Sequence, residues 1–165
     1  MERAEIVAAL LAAWRRHQRI LLYLLDRVPA GGFSALPSGS KGRDVARQFA
    51  HLDRVRQGWI HYHTTGKRPD LPRHDKGAGP TRVQLKAALR KSGTGVERFM
   101  EQALAGRARP RLFNHDPIRW LTYLISHEAH HRGQILLALR QSGQKLPVKV
   151  TVEGLWGPWV YGSEE

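Results

Sequence analysis

The chain has no cysteine, and that absence removes disulfides, thiolate metal sites and a protein-borne thiol nucleophile together. Histidine, aspartate, glutamate and water are left as metal ligands. A cysteine-free composition also agrees with a cytoplasmic location, which is the one expected. Long apolar runs are missing as well. The stretch MERAEIVAALLAAWRRHQRILLYLLDR looks apolar, but Glu2, Arg3, Glu5, Arg15, Arg16, Arg19, Asp26 and Arg27 interrupt it. Nothing approaches the ~20 apolar residues of a membrane span, so neither an export signal nor a membrane partner is expected. Acidic residues are scarce, with 14 Asp and Glu against 27 Lys and Arg and a net charge of +13. Such a balance favours anionic partners. The basic residues are nevertheless scattered, without a run of five, so the footprint of a dedicated nucleic-acid reader is absent and DNA or RNA is not the expected partner. The charge does not say which anionic partner is meant; the expected partner is a small molecule, which the charge allows to be anionic.

The 165 residues suit a single domain, 1–165, folded around one core. No internal repeat or low-complexity tract appears. Four long helical patterns separated by turn-rich stretches predict an all-α chain, a four-helix bundle. The first pattern runs from about Glu2 to Arg27, stopped by Pro29, Gly31 and Gly32. A second spans about Lys41 to His63, with Val45, Phe49, Leu52, Val55, Trp59 and Ile60 as its apolar face. A proline- and glycine-rich stretch, residues 66–80, reads as a loop. Thr81 with Gln84 forms a capping-box pattern that opens a third helix to about Ala105, with a kink or break expected at Gly93 and Gly95. Asp116 followed by Pro117 opens the fourth, which runs to about Gln141 before Gly143. After Pro147 the alternating VKVTVEG predicts a short extended tail. Trp156, Trp159 and Tyr161 follow, aromatics expected to pack on the bundle or on a partner subunit.

The chemistry concentrates on the fourth helix. At 100° per residue, Trp120, Leu124, His127, His131, Ile135 and Ala138 fall within an arc of roughly 80°. His127 and His131 therefore face the bundle interior, one turn apart. Two buried imidazoles are costly unless both are satisfied, either by polar groups on neighbouring helices or by one cation that takes a nitrogen from each. The inward placement favours the cation. His130 lies at the rim of the stripe, and Glu128 borders it as an acceptor, a general base or a surface carboxylate. A third ligand would leave one coordination position open. Its candidates are His51, His61 and His63 on the second helix, His17 on the first, and His74 and His115 in loops. Helical-wheel geometry does not choose among them.

Read literally, His127-Glu128-Ala129-His130-His131 matches the H-E-x-x-H of zinc peptidases. The metzincin extension requires glycine at 134 and histidine at 137, where this chain has Gln134 and Leu137. A gluzincin would need a downstream glutamate on another helix, and Glu153 lies in the tail. No sheet is on offer to bind an extended peptide.

The run HEAHHRGQILLALRQSGQKLP instead closely resembles the last-helix signature of the DinB/YfiT-like superfamily, H-x-x-x-H-R-G-Q-hydrophobic followed by L-R-x-x-G and proline. An early proline-bearing loop before DVARQFAHLDRVRQGWI, which places His51-Leu52, extends the resemblance over nearly the whole chain. The resemblance implies a four-helix bundle whose metal ligands correspond to His51, His127 and His131, with water completing the coordination of nickel, zinc, iron or manganese. It also implies a homodimer and a metalloenzyme, either a hydrolase or a transferase using an exogenous low-molecular-weight thiol such as bacillithiol or mycothiol. Arg132 and Gln134, part of that signature, would orient ligands or buttress the helix. The competing reading is a non-enzymatic, stress-related bundle that binds nucleic acid or a partner through its basic surface.

Overall fold

A computed structural model describes residues 2–72 and 79–162. Among them are four long helices, α1 (Arg3–Arg27), α2 (Val45–Thr65), α3 (Arg82–Leu104) and α4 (Pro117–Gln141), then a single short turn of helix, α5 (Gly157–Val160). There is no strand among the described residues, and none of their helices is long and apolar enough to cross a membrane.

The helix starts follow from their caps. Asp116 accepts from the Ile118 and Arg119 backbone N–H groups, with Pro117 directly behind it, and Thr81 and Gln84 form the reciprocal capping box. α2 begins at Val45, the first residue of its apolar pattern and later than the expected Lys41, because Asp44 is its cap and accepts from Arg47 N at 2.8 Å. Gly66 closes α2 with φ 75°, a left-handed conformation that side-chain-bearing residues rarely adopt.

α1 and α4 run in one direction, α2 and α3 in the other. Trp14 meets Gly93 and Arg3 meets Leu104, which sets α1 antiparallel to α3. Gln48 meets Gln134 and Arg56 meets Glu128, which sets α2 antiparallel to α4. The core divides into two apolar clusters. One holds Ile20, Leu24, Phe49, Leu52, Leu89, Ile135 and Leu139. The other holds Leu11, Trp14, Val96, Phe99, Trp120 and Leu124. Between them each helix contributes one buried polar residue: His17, Arg56, Ser92 and Glu128.

Two expectations are corrected. α3 runs unbroken through Gly93 and Gly95. Gly93 is there for close approach: a Cβ at this position would lie 2.6 Å from the Gln18 side chain, and Trp14 Nε1 donates to the Gly93 carbonyl at 2.9 Å. The tail is not extended either. Lys149–Gly154 forms a π-helical turn, because Val150, Leu155 and Trp159 pack on the first cluster while no strand is present to pair with. Gly154 lets this turn seat against Tyr23, where a Cβ would come within 2.3 Å. Arg16 lies over Trp159, and Trp156 and Tyr161 stay exposed.

Candidate metal centre

α4 carries His127 and His131 on successive turns, and α2 brings His51 across to them. One ring nitrogen from each of the three lies within 4.8 Å of the others. The His51 ring stands edge-on to His127 and His131, with centroids 5.3 and 4.7 Å away. His127 and His131 are themselves edge-on at 4.6 Å.

A chain of amides fixes which nitrogens converge. Gln134 Nε2 donates to His130 Nε2 at 2.8 Å, and Gln134 Oε1 accepts from Gln48 Nε2 at 3.0 Å. That leaves Gln48 Oε1 as the acceptor for His131 Nδ1–H at 2.5 Å. His131 therefore carries its proton on Nδ1, and its Nε2 lone pair faces His127 Nε2 at 3.2 Å. His127 Nδ1 is buried without a partner. In the tautomer protonated at Nδ1, His127 turns its Nε2 lone pair toward that of His131, and one cation would be held by both; in the other tautomer His127 Nε2–H donates to His131. The 3.2 Å separation is close to the ~3.3–3.4 Å expected between two nitrogens bound tetrahedrally at 2.0–2.1 Å. The donor set thus fits a borderline transition metal.

All three rings are held neutral. Burial, then Arg43, pushes His51 down to about 3. Burial, then His127, His130 and Arg43, pushes His131 to about 4. His127 is lowered by burial, with His130 and Arg43 adding to it against the opposing charge of Glu128. Neutral imidazoles are what a metal requires of its ligands.

The other histidines are distributed elsewhere. His17 lies in the polar layer of the core. His63 sits among Trp59, Phe99, Phe113 and Trp120, accepting from Arg111 N at 3.3 Å. His61 is exposed, and His115 pairs with the Pro110 carbonyl at 2.7 Å. His74 lies outside the described residues. His130 is at the exposed rim, where sequence places it.

Glu128 is neither a surface carboxylate nor a free base. It is 1 % exposed and accepts from Arg56 Nε and Nη2, both at 2.6 Å, and from His17 Nε2 at 2.7 Å. Burial pushes its carboxyl up, but the Arg56 charge and hydrogen bonds, with those of His17, hold it at about 2. His17 is lowered by burial, and as a neutral ring it donates to Glu128 while its Nδ1 accepts from Arg132 Nη1 at 3.1 Å. Arg132 is thus an interhelical tie. The glutamate that a zinc peptidase would use as base has both oxygens committed to the core.

Gln48, Arg43 and Arg56 have site roles that sequence reading did not assign. Arg56 was detectable: Val45, Phe49, Leu52, Arg56, Trp59 and His63 follow a 4-3-4-3-4 spacing, so a charge occupies a core position. Gln48 lies three residues before His51 on the same side of α2, but a lone glutamine carries no signal.

A search of curated proteins finds no match to the chain. The model of the DinB family matches residues 1–155, a span that includes all four long helices and the three clustered histidines, and the chain belongs to that family.

Proposed function

We propose that the protein is a metal-dependent enzyme in which His51, His127 and His131 hold one divalent transition metal, nickel, zinc, iron or manganese, with a coordination position left open. The observation that carries this reading is the convergence of three neutral imidazoles, two of them with Nε2 atoms 3.2 Å apart. A cation with an open position lowers the pKa of a bound thiol or water toward neutrality, and so supplies a nucleophile that a cysteine-free chain lacks. The favoured reaction is S-transfer from an exogenous low-molecular-weight thiol. Its sulfur loses a proton to solvent and bonds to an electrophilic carbon, whose leaving group departs with its electron pair.

The chain's own residues prepare the site. Gln48 holds His131 in the tautomer that presents Nε2, and Gln134 holds Gln48. Ligand orientation by such outer partners governs metal affinity. Arg43 adds positive potential at all three rings, which favours an anionic cosubstrate. Glu128 takes no part in proton transfer, because it is engaged by Arg56 and His17.

The test is turnover of 1-chloro-2,4-dinitrobenzene by metal-loaded protein with a panel of small thiols. Rates above the thiol alone, abolished by chelator and by His127→Ala, are expected. A chelator-insensitive rate, or no rate with any of the four metals and any thiol, overturns S-transfer.

A further inference from the structure

A cleft of about 410 Å³, a size usual for small-molecule sites, is linked to His127 through Tyr123. Tyr123, which lines it, stacks on His127 with centroids 5.7 Å apart and planes 24° apart. Arg54, on its rim, lies one helical turn from His51 and adds positive charge at that ring.

Its chemistry is two-sided. Trp59, Tyr62 and Tyr123 supply flat aromatic surface, with Leu71 and Leu112 opposite. Arg54 and Arg68 supply charge, and none of the described residues that line the cleft is acidic. The Arg54 Nε is buried and has no hydrogen-bond partner. An unpaired guanidinium N–H shielded from water is costly, and a turn of the Arg54 side chain toward an acceptor bound in the cleft would satisfy it. The planar fork of arginine matches a carboxylate in particular.

Gly58 is the third observation. Glycine in a helix interior costs about 1 kcal/mol against alanine, and here it does not serve close helix packing. Among the described residues, a Cβ at Gly58 would touch only Leu71 Cδ1, at 4.0 Å. The missing side chain is space inside the cleft.

We infer that this cleft binds the electrophilic substrate, an organic acid with a flat apolar body, its carboxylate paired with Arg54 and Arg68 and its other end directed past Tyr123 to His127. The role as a substrate site rests on the metal-dependent reaction proposed above; the binding does not.

The probes are 1-naphthoate and its uncharged counterpart 1-naphthalenemethanol, titrated calorimetrically into metal-loaded and chelator-treated protein. Naphthoate is expected to bind about ten-fold more tightly than the alcohol, and Arg54→Gln/Arg68→Gln to bring the two together. Gly58→Leu fills the cleft and keeps every charge, so it abolishes binding of both while melting no lower than the wild type and keeping its metal. Equal binding of acid and alcohol, no naphthoate binding, or full binding by Gly58→Leu overturns the assignment. Naphthoate binding that persists after a failed metal assay sinks the reaction and leaves the site. Chelator-sensitive turnover untouched by Gly58→Leu does the reverse.

Discussion

Replacing Glu128 by alanine is the most informative perturbation of the core. The carboxylate accepts two hydrogen bonds from Arg56 and one from His17, all between 2.6 and 2.7 Å. Arg56 is 0 % exposed. Without Glu128 its charge keeps only Gln18 Oε1 at 2.6 Å, the Leu89 carbonyl at 3.1 Å and the face of Trp14 at 4.9 Å. Breaking a buried pair by removing one partner costs roughly 3–5 kcal/mol, because the remaining charge is left in the core. For a chain of this size each kcal/mol lowers the melting temperature by about 2–4 °C, so a loss of roughly 6–20 °C is expected by calorimetry. The triple change His17→Leu/Arg56→Met/Glu128→Leu removes the buried ion pair and its histidine, leaving Arg132 and Gln18 to solvent or other partners, and should recover most of that loss, since apolar replacement of a buried pair is often neutral or stabilising. Sign also matters. The Glu128 carboxyl is depressed from 4.5 to about 2, so its contribution is present above pH 4.5 and decays as pH falls toward 2. A Glu128→Ala loss under about 1 kcal/mol, or a triple variant as unstable as the single one, would show that Arg56 does not depend on this carboxylate for its place in the core.

Gln48→Leu frees the His131 ring and should weaken metal binding by roughly 10–100-fold with little change in fold, read by competition with a chelating dye. His63 is lowered from 6.5 to about 4 by burial, then by Arg111. The unfolded chain therefore takes up a proton that the folded chain refuses, and stability falls as pH drops from 6.5 toward 4. His63→Phe should remove a penalty on the order of 2 kcal/mol at pH 5, measured as the difference between urea midpoints at pH 7 and pH 5. Gly93→Ala should destabilise by about 1–3 kcal/mol despite its better helix propensity. The Gln18 amide it meets at 2.6 Å is held by both Leu89 and Arg56. A higher melting temperature for that variant would contradict the close approach of α1 and α3.

The four helices were legible because their signals are local. Asp116-Pro117 and Thr81 with Gln84 cap the helices they precede, and apolar spacing sets the buried faces. The His127 and His131 pair was legible for the same reason, since both lie on one helix. His51 was not, because its approach depends on how α2 docks against α4, and only the family resemblance singled it out. The strand expected at 148–154 failed because alternating residues there are read by no partner strand. Instead Val150 turns onto the core and the backbone closes on itself in a π-helical turn. Glu128 is the instructive case: on α4 alone it borders the buried stripe, and its fate is decided by Arg56 and His17 on two other helices.

In the proposed site three imidazoles from two helices hold one ion. Inductively coupled plasma mass spectrometry on protein loaded in turn with nickel, zinc, iron and manganese, then desalted, tests it directly. About one ion per chain is expected for the wild type with at least one of these metals, and below about a tenth for His51→Ala, His127→Ala and His131→Ala, each folded by circular dichroism. Wild-type protein below about a tenth with every metal, or His51→Ala retaining a full equivalent, would contradict it.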